Sequence, residues 1–442
     1  MNMVSDMVDV AEPDTQDANA SGVRRSLSSR GEAGIGSAKK LRVFMMDLWC
    51  YTPYYDRYLC EALAEANVDI TLGAVRPYQD PEYFSKNGLK NDPGLIDFVP
   101  GLALTNDSLR RVLMLGESCI NMTALLARFA VSKPDVVHVQ WIPTIRKLPF
   151  EMWFLKLLQK LNIKLVYTAH NALPHDSGTQ FVPVFKRVYA EMDALICHTK
   201  DAKERLVREF AVRPEKIWVV PHGPMLHDAK RESVEESKAQ LGLAANETVI
   251  LWQGIVRSYK GIEFLLDAWS KVQARNLQTR LLIAGTGEPE LLKDIQERVE
   301  RLGLAKSVRR DFEFIPDEKL PTYYQAADVL VYPYREVTTS GALMTAMAYG
   351  KAIVATRLPA FHEALRDEET ALFVNYGDTD ALAGTLVRLI EDKKERERLG
   401  AAVAAADRSA TSWTSIAQET RRCYASVLQS TSQNTSGRVV AQ

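Results

Sequence analysis

The sequence predicts an α/β protein made of two doubly wound parallel sheets that face each other across a cleft, with a last helix returning to the first sheet. Three observations predict it. Short, continuous apolar runs of strand type alternate with amphipathic stretches of helical period, the pattern of parallel strands covered on both faces. These runs fall into two series, separated by the polar stretch "GPMLHDAKRESVEESKAQ" at 223–240. Residues with useful chemistry stand just after the runs, where open α/β sheets collect ligands beyond the carboxyl ends of their strands.

Taken in order, residues 1–38 are small, polar and without periodicity, too poor in apolar surface to offset the entropy of ordering, and are expected to be a flexible tail. The first series of runs is "LRVFMMDLW" at 41, "DITLGAV" at 69, "DVVHVQWI" at 135, "KLVYTAH" at 164, "ALICHT" at 194 and "KIWVVPHG" at 216, which defines a first Rossmann-like domain over 39–224. The second is "TVILWQGI" at 248, "RLLIAGTG" at 280, "DFEFIP" at 311, "DVLVYPY" at 328, "KAIVAT" at 351 and "ALFVNYG" at 371, which defines a second such domain over 225–410. Helical patterns such as "GIEFLLDAWSKVQAR" fill the gaps. The stretch "SWTSIAQETRRCYASVLQ" follows the closed second series, and a helix over 411–430 packing back on the first domain is expected, with 431–442 a second flexible tail.

The charge balance excludes some partners. With 55 Lys+Arg against 56 Asp+Glu the net charge is −1, so no global field is available to hold nucleic acid or an anionic membrane, and cationic chemistry has to be local. Five scattered cysteines show no metal-binding spacing, and Cys197 in "ALICHT" reads as a small buried hydrophobe in a reducing compartment. No signal-type segment opens the chain and no uninterrupted apolar run reaches the roughly 18 residues of a spanning helix. A cytoplasmic protein is expected, with peripheral contact to the inner face of a membrane kept open.

The segment "VRSYKG" at 256–261 places two cations, Arg257 and Lys260, at the carboxyl end of a strand, with nothing adjacent to neutralise them. A second segment, "DVLVYPYREVTTSGALMTAMAYGKAIVAT", runs from a buried strand through a polar turn into a small-residue helix that begins near Gly341. Thr338, Thr339 and Ser340 supply capping hydroxyls there, at a helix end whose free amides favour an anion. Two cations and that helix start, at one edge of one sheet, suit a diphosphate.

Together, "GIVRSYKGIEFLLDAW", "LLIAGTGEP", "FEFIPDEKLPTYYQAADVLVYPYR" and "TSGALMTAMAYGKAIVAT" resemble the second half of the group 1, or family 4, glycosyltransferases. "VYTAHNALPHD", "ICHTKDAKERLV" and "VVPHG" resemble the first half more weakly. The resemblance implies the GT-B fold and transfer of a hexose from a nucleotide diphosphate sugar, usually with retention and without a bound metal or other cofactor. It also implies that Arg257 and Lys260 contact the donor diphosphate and that Ser340 and Gly341 offer amides to it. By the same resemblance Gly254 lets the backbone approach the donor, and Gly285 lies near the nucleoside.

One departure is expected to matter. The family's usual pair of glutamates falls on Val337 and Thr345, neither of which carries a carboxylate, and Glu336 stands one residue from the first position. In the first domain His170 and His175 follow a strand; His170 is the candidate to accept a proton from an acceptor hydroxyl or to bond the sugar. His222 reads as structural. Tyr51, Tyr54 and Tyr55 offer flat faces to a sugar or lipid acceptor, or serve as core anchors. "LPFEMWFLKLLQKLNIK" mixes aromatic residues and lysines, a composition that covers a sheet or rests on a membrane. The donor is expected to be of the GDP-mannose or UDP-glucose type, and the acceptor a saccharide or lipid-linked saccharide in exopolysaccharide or glycoconjugate synthesis. A nucleotide-sugar epimerase and a non-catalytic nucleotide-sugar-binding protein are the two alternatives on the same fold.

Overall fold

The structure is a computed structural model. It describes residues 40–439 apart from 78–79, 87, 89–91, 93, 100–101, 103–105, 146–149, 174–178, 227–231 and 276–277.

The first half runs β1 (Leu41–Asp47), α1 (Pro53–Glu65), β2 (Val68–Ala74), α2 (Tyr83–Lys86), α3 (Asp107–Val131), β3 (Val136–Val139), α4 (Phe150–Lys160) and β4 (Lys164–Thr168). It continues with α5 (Val182–Glu191), β5 (Ala194–Cys197), α6 (Lys200–Phe210) and β6 (Ile217–Val219). The second half begins with α7 (Val234–Gln240), β7 (Thr248–Gln253), α8 (Ile262–Gln273), β8 (Thr279–Ala284), α9 (Pro289–Arg301), β9 (Val308–Asp311) and α10 (Leu320–Ala326). β10 (Val329–Tyr332), α11 (Gly341–Met347), β11 (Ala352–Thr356), α12 (Pro359–His362), β12 (Leu372–Val374), α13 (Thr379–Glu391), α14 (Lys393–Ala405) and α15 (Trp413–Val439) complete it.

Each half is a six-stranded sheet, in the order β2-β1-β3-β4-β5-β6 and β12-β11-β10-β7-β8-β9, and every pairing is parallel. The apolar strands are buried on both faces, as the four buried hydrophobic clusters require. In both sheets the chain first winds to one side and then crosses back, so the order reverses between β1 and β3 and between β7 and β10. Helices diverge at such a reversal and leave a crevice at the carboxyl ends.

The last helix does cross back: Trp413, Ile416, Cys423 and Tyr424 of α15 are buried with α1 and strands of the first sheet. It continues as helix to Val439, past the expected end at 430. β9 also differs from expectation. The apolar "FEFI" is not the strand; the paired residues are Val308–Asp311, because at the sheet edge one half-exposed side suits Arg309 and Arg310 better than a continuous apolar run. All five cysteines are free, and Cys50, Cys60, Cys197 and Cys423 are buried.

The β7–α8 turn is pressed against the end of β10. The Arg335 amide donates to the Tyr259 carbonyl at 2.7 Å, and Gly261, at φ +68°, lies so near Pro333 that an added Cβ would stand 1.9 Å from its carbonyl oxygen. Only glycine meets both demands. Gly261→Ala is therefore expected to cost more than about 1 kcal/mol of folding stability, read as a lower urea midpoint at unchanged slope.

Candidate functional site

The crevice between β7 and β10 gathers the residues that follow those strands. Gly254, at φ +141°, leaves room for Lys260, whose Nζ would stand 2.9 Å from a Cβ at that position. Gly285, at φ +138°, packs on the Gly254 backbone, where a Cβ would lie 2.1 Å from the Gly254 carbonyl oxygen. The Lys260 ammonium sits 5.7 Å from the ring centroids of both Trp252 and Tyr334. Among the described residues no carboxylate or carbonyl bonds it. Burial first, and the charge of Arg257 second, push its pKa down to about 8. Among the described residues, the buried Trp252 Nε1 and Thr338 Oγ1 also lack partners. An ammonium and unsatisfied polar atoms in one crevice are what a polar anionic ligand would complete.

Arg257 differs from its partner. The sequence leaves both cations uncompensated, but Arg257 Nη1 bonds Glu288 Oε1 at 2.8 Å. Glu288 is far along the chain and follows β8, the parallel neighbour of β7, so the two strand ends bring the pair together. Glu288 orients Arg257 beside Lys260 while leaving Lys260 without a counter-ion.

On the β10 side, Ser340 Oγ caps α11 by accepting from the Leu343 amide at 3.2 Å, and Thr339 and Gly341 are half-buried beside it. Among the described residues no acceptor meets the amides of Ser340, Gly341 and Ala342. Glu336 is exposed, whereas Val337 and Thr338 next to it are buried. Thr345, 1% exposed, accepts from the Met225 amide at 3.1 Å and donates to the Gly341 carbonyl at 2.9 Å. A glutamate there would bury a charge against the junction of the two halves, which gives a physical reason for the hydroxyl.

Several bonds fasten the halves to one another at this level. Thr199 Oγ1 donates to the Thr338 carbonyl at 3.2 Å, and the Glu363 carboxylate accepts from the Lys200 and Asp201 amides at 2.9 and 3.0 Å, capping α6 from the opposite half. His222 lies against Gly341, about where a Cβ of Gly341 would meet its ring at 3.1 Å. Its Nδ1 bonds the Gly223 carbonyl at 2.7 Å, in keeping with a structural part.

His170 stands across the crevice, 7% exposed and stacked on Trp141 at 5.1 Å. Its Nε2 meets the Gln140 side-chain oxygen at 2.9 Å and its Nδ1 meets His198 Nε2 at 3.2 Å. Both nitrogens are engaged, so accepting a proton from a substrate would require one of these bonds to open. Burial holds His170 well below the usual histidine range and takes His198 down to about 3 and His222 to about 4, so the rings are neutral. Tyr55, 2% exposed, contacts all three rings as a core anchor. Tyr51 is the exposed aromatic, 53% accessible and packed between Trp49 and Trp141 in a ledge at the β1–β3 reversal. Tyr54 meets Tyr83 edge-on. His175 lies outside the described residues.

Residue-by-residue reading missed a buried acidic pair. Asp47, at the end of β1, and Asp56, in the first turn of α1, are both 0% exposed, and among the described residues Asp47 Oδ1 and both carboxylate oxygens of Asp56 have no hydrogen-bond partner. Burial raises both carboxyls, and the neighbouring Asp47 raises Asp56 further. The signal was present as an Asp closing an apolar strand and another within "YYDRYL".

With this geometry, comparison with known proteins identifies the chain. The family described as glycosyl transferases group 1 matches residues 247–392, and that described as glycosyltransferase family 4 matches residues 55–224. The chain belongs to the group 1, family 4-like glycosyltransferases of the GT-B fold. Among curated relatives, the D-inositol 3-phosphate glycosyltransferase of Corynebacterium diphtheriae is 27% identical over 290 residues, covering 62% of this chain and 67% of the relative. That of Segniliparus rotundus is 25% identical over 371 residues, covering 78% and 80%. Among solved structures, Anabaena HepE in complex with UDP and glucose superimposes with a TM-score of 0.71 at 15% identity, covering 87% of this glycosyltransferase and 100% of that chain. Sucrose-phosphate synthase of Thermosynechococcus elongatus gives 0.69 at 22%, covering 89% and 100%. At these identities the structural likeness is one of fold.

The acidic pair makes this glycosyltransferase's stability depend on pH with a definite sign. Both carboxyls bind protons more tightly folded than unfolded, so stability is fullest below the unfolded carboxylate value of about 4 and falls as pH rises through the raised folded values. Asp56→Asn removes one titrating group and is expected to raise the melting temperature at pH 7 relative to pH 5, compared with the parent, in paired thermal scans.

Proposed function

We propose that this glycosyltransferase moves a hexosyl residue from a nucleotide diphosphate sugar, of the GDP-mannose or UDP-glucose type, to a hydroxyl of a saccharide or lipid-linked saccharide, in exopolysaccharide or glycoconjugate synthesis. The observation that carries the reading is the half-buried Lys260 ammonium, without a counter-ion, at the β7–β10 reversal. A desolvated charge of that kind is costly unless a ligand of opposite charge completes it. The UDP and glucose of the HepE complex support a nucleotide sugar, and the relatives' name makes an inositol phosphate one acceptor worth testing.

In this reading Lys260 and Arg257 meet the diphosphate, the amides at Ser340 and Gly341 add to them, Thr339 lines the turn, and Gly254 and Gly285 keep the floor open for sugar and nucleoside. As the bond from the anomeric carbon to the phosphate oxygen breaks, negative charge grows on the departing diphosphate. Fixed cations and amides there favour the transition state over the bound donor, and these side chains can supply that charge without a metal. The acceptor hydroxyl oxygen bonds the anomeric carbon and its proton passes to the leaving phosphate oxygen, on the same face, with retention. Because its nitrogens are engaged, His170 acts by shaping the wall opposite the donor, with Tyr51 offering its face to the acceptor. Glu336 is the carboxylate available on the loop that replaces the usual glutamates. A cytoplasmic location gives access to such donors.

Isothermal titration with GDP, UDP and their sugars tests the donor. Lys260→Ala is expected to weaken nucleoside diphosphate binding by about tenfold to a hundredfold, the range of a hydrogen bond to a charged group. Parent affinity should fall between pH 7 and pH 9 as the Lys260 ammonium deprotonates, and the variant should lose that dependence. Variants of Lys260 and Arg257 that bind like the parent would put the diphosphate elsewhere. Glu336→Ala, assayed for transfer with donor binding intact, decides whether that carboxylate takes part.

A further inference from the structure

α3 lies on the outside of the first sheet and, among the described residues, is the helix long and apolar enough to cross a membrane. It does not stand free to do so. Met122, Leu125 and Phe129 on its inner face belong to the buried core, with Phe129 edge-on to Phe44 of β1 at 5.1 Å.

Its outer face is unlike that of an ordinary surface helix. Leu109, Val112, Leu113 and Ile120 recur at helical spacing and are 48%, 64%, 39% and 54% exposed, and Val131 at the far end is 92% exposed. The other exposed positions after Arg111 are glycine, threonine and alanine. The charged residues of that stretch are turned to other work: Glu117 is buried and accepts from the Phe98 amide at 2.7 Å, and Arg128 bonds Asp92 at 2.8 Å. By contrast, α9 shows solvent Lys293, Glu297 and Arg301 on its outer side.

Phe98 adds to this face by construction. Asn121 bonds both the amide and the carbonyl of Ile96, at 2.7 and 2.9 Å, and with Glu117 it pins the segment to α3. Phe98 is nonetheless 72% exposed, so its ring is held outward by a fixed backbone. α4 covers the same side of the sheet, sharing the buried cluster with α3, and shows Trp153, 51% exposed, with exposed Lys160 and with Lys156, which pairs with Glu191 at 3.6 Å. Exposed Arg111 and Lys133 flank the apolar face of α3 at its two ends.

We infer that the outer faces of α3 and α4, with Phe98, form a docking surface for the anionic face of a lipid bilayer, on which α3 lies flat. Charge decides the occupant. An apolar stripe bordered by lysine and arginine, with an exposed tryptophan, matches the acyl boundary and the anionic headgroups together. In a two-fold dimer on this face the same cations would border a second copy carrying the same cations, with no exposed carboxylate among the described side chains of α3 to answer them.

The test is flotation of the full chain with phosphatidylcholine vesicles, with and without phosphatidylglycerol, which involves no sugar transfer and is independent of the donor. The parent is expected to float with the anionic vesicles and to be partly released by salt. Val112→Glu with Ile120→Glu should cut partitioning roughly tenfold or more, since buried apolar groups drive insertion. Melting temperature and nucleoside diphosphate affinity should stay as in the parent, both sites being exposed and on the outer face. Arg111→Glu with Lys160→Glu should weaken binding to anionic vesicles alone. A parent that stays unbound with both vesicles, a Val112/Ile120 variant that floats like the parent, or a parent dimer that this variant turns into a monomer would overturn the inference.

Discussion

A single desolvated ammonium organises the second half of the molecule. Lys260 reaches the β7–β10 reversal because Gly254 leaves space beside it, and it stays charged at neutral pH between two aromatic rings without a carboxylate. Holding a cation so is tolerable where the rest of the fold is already fixed. Gly261 and the Arg335–Tyr259 bond fix it, by locking the turn that carries Lys260 to the strand that leads into α11. Glu288 then sets Arg257 alongside without cancelling Lys260.

The facing half answers with neutral groups. His170, His198 and His222 are kept uncharged by burial, which also raises the carboxyls of Asp47 and Asp56. Neutral histidines on this wall leave the field beside Gly341 to the cations of the second half. The bonds through Thr345, Thr199 and Glu363 set the two halves at this separation, and the first of these uses a position where relatives are expected to carry a carboxylate. The junction and the chemistry therefore compete for the same residues.

The overall charge balance of the chain conceals two local departures from it. One is the cationic crevice; the other is the apolar outer face of α3 bordered by arginine and lysine. Both follow from where carboxylates are spent. Glu117 is used inside to hold the Phe98 segment, and Asp92 is used on Arg128, so neither reaches the surface of α3.

The sequence by itself determined the two series of parallel strands, the polar break between them and the returning helix, because alternating runs of apolar and amphipathic residues are local properties. It also determined Lys260, Gly254 and Ser340 as residues standing after strands, since that too is read along the chain. Strand order was not legible, and with it the reversal that joins the ends of β7 and β10, because parallel neighbours are set by crossovers rather than by nearby residues. Only the tertiary structure paired Arg257 with Glu288, committed both nitrogens of His170, sorted exposed Tyr51 from buried Tyr55 and brought Asp47 to Asp56. Each of those outcomes is a matter of which groups water can still reach, and water is excluded by the packing of distant segments on one another.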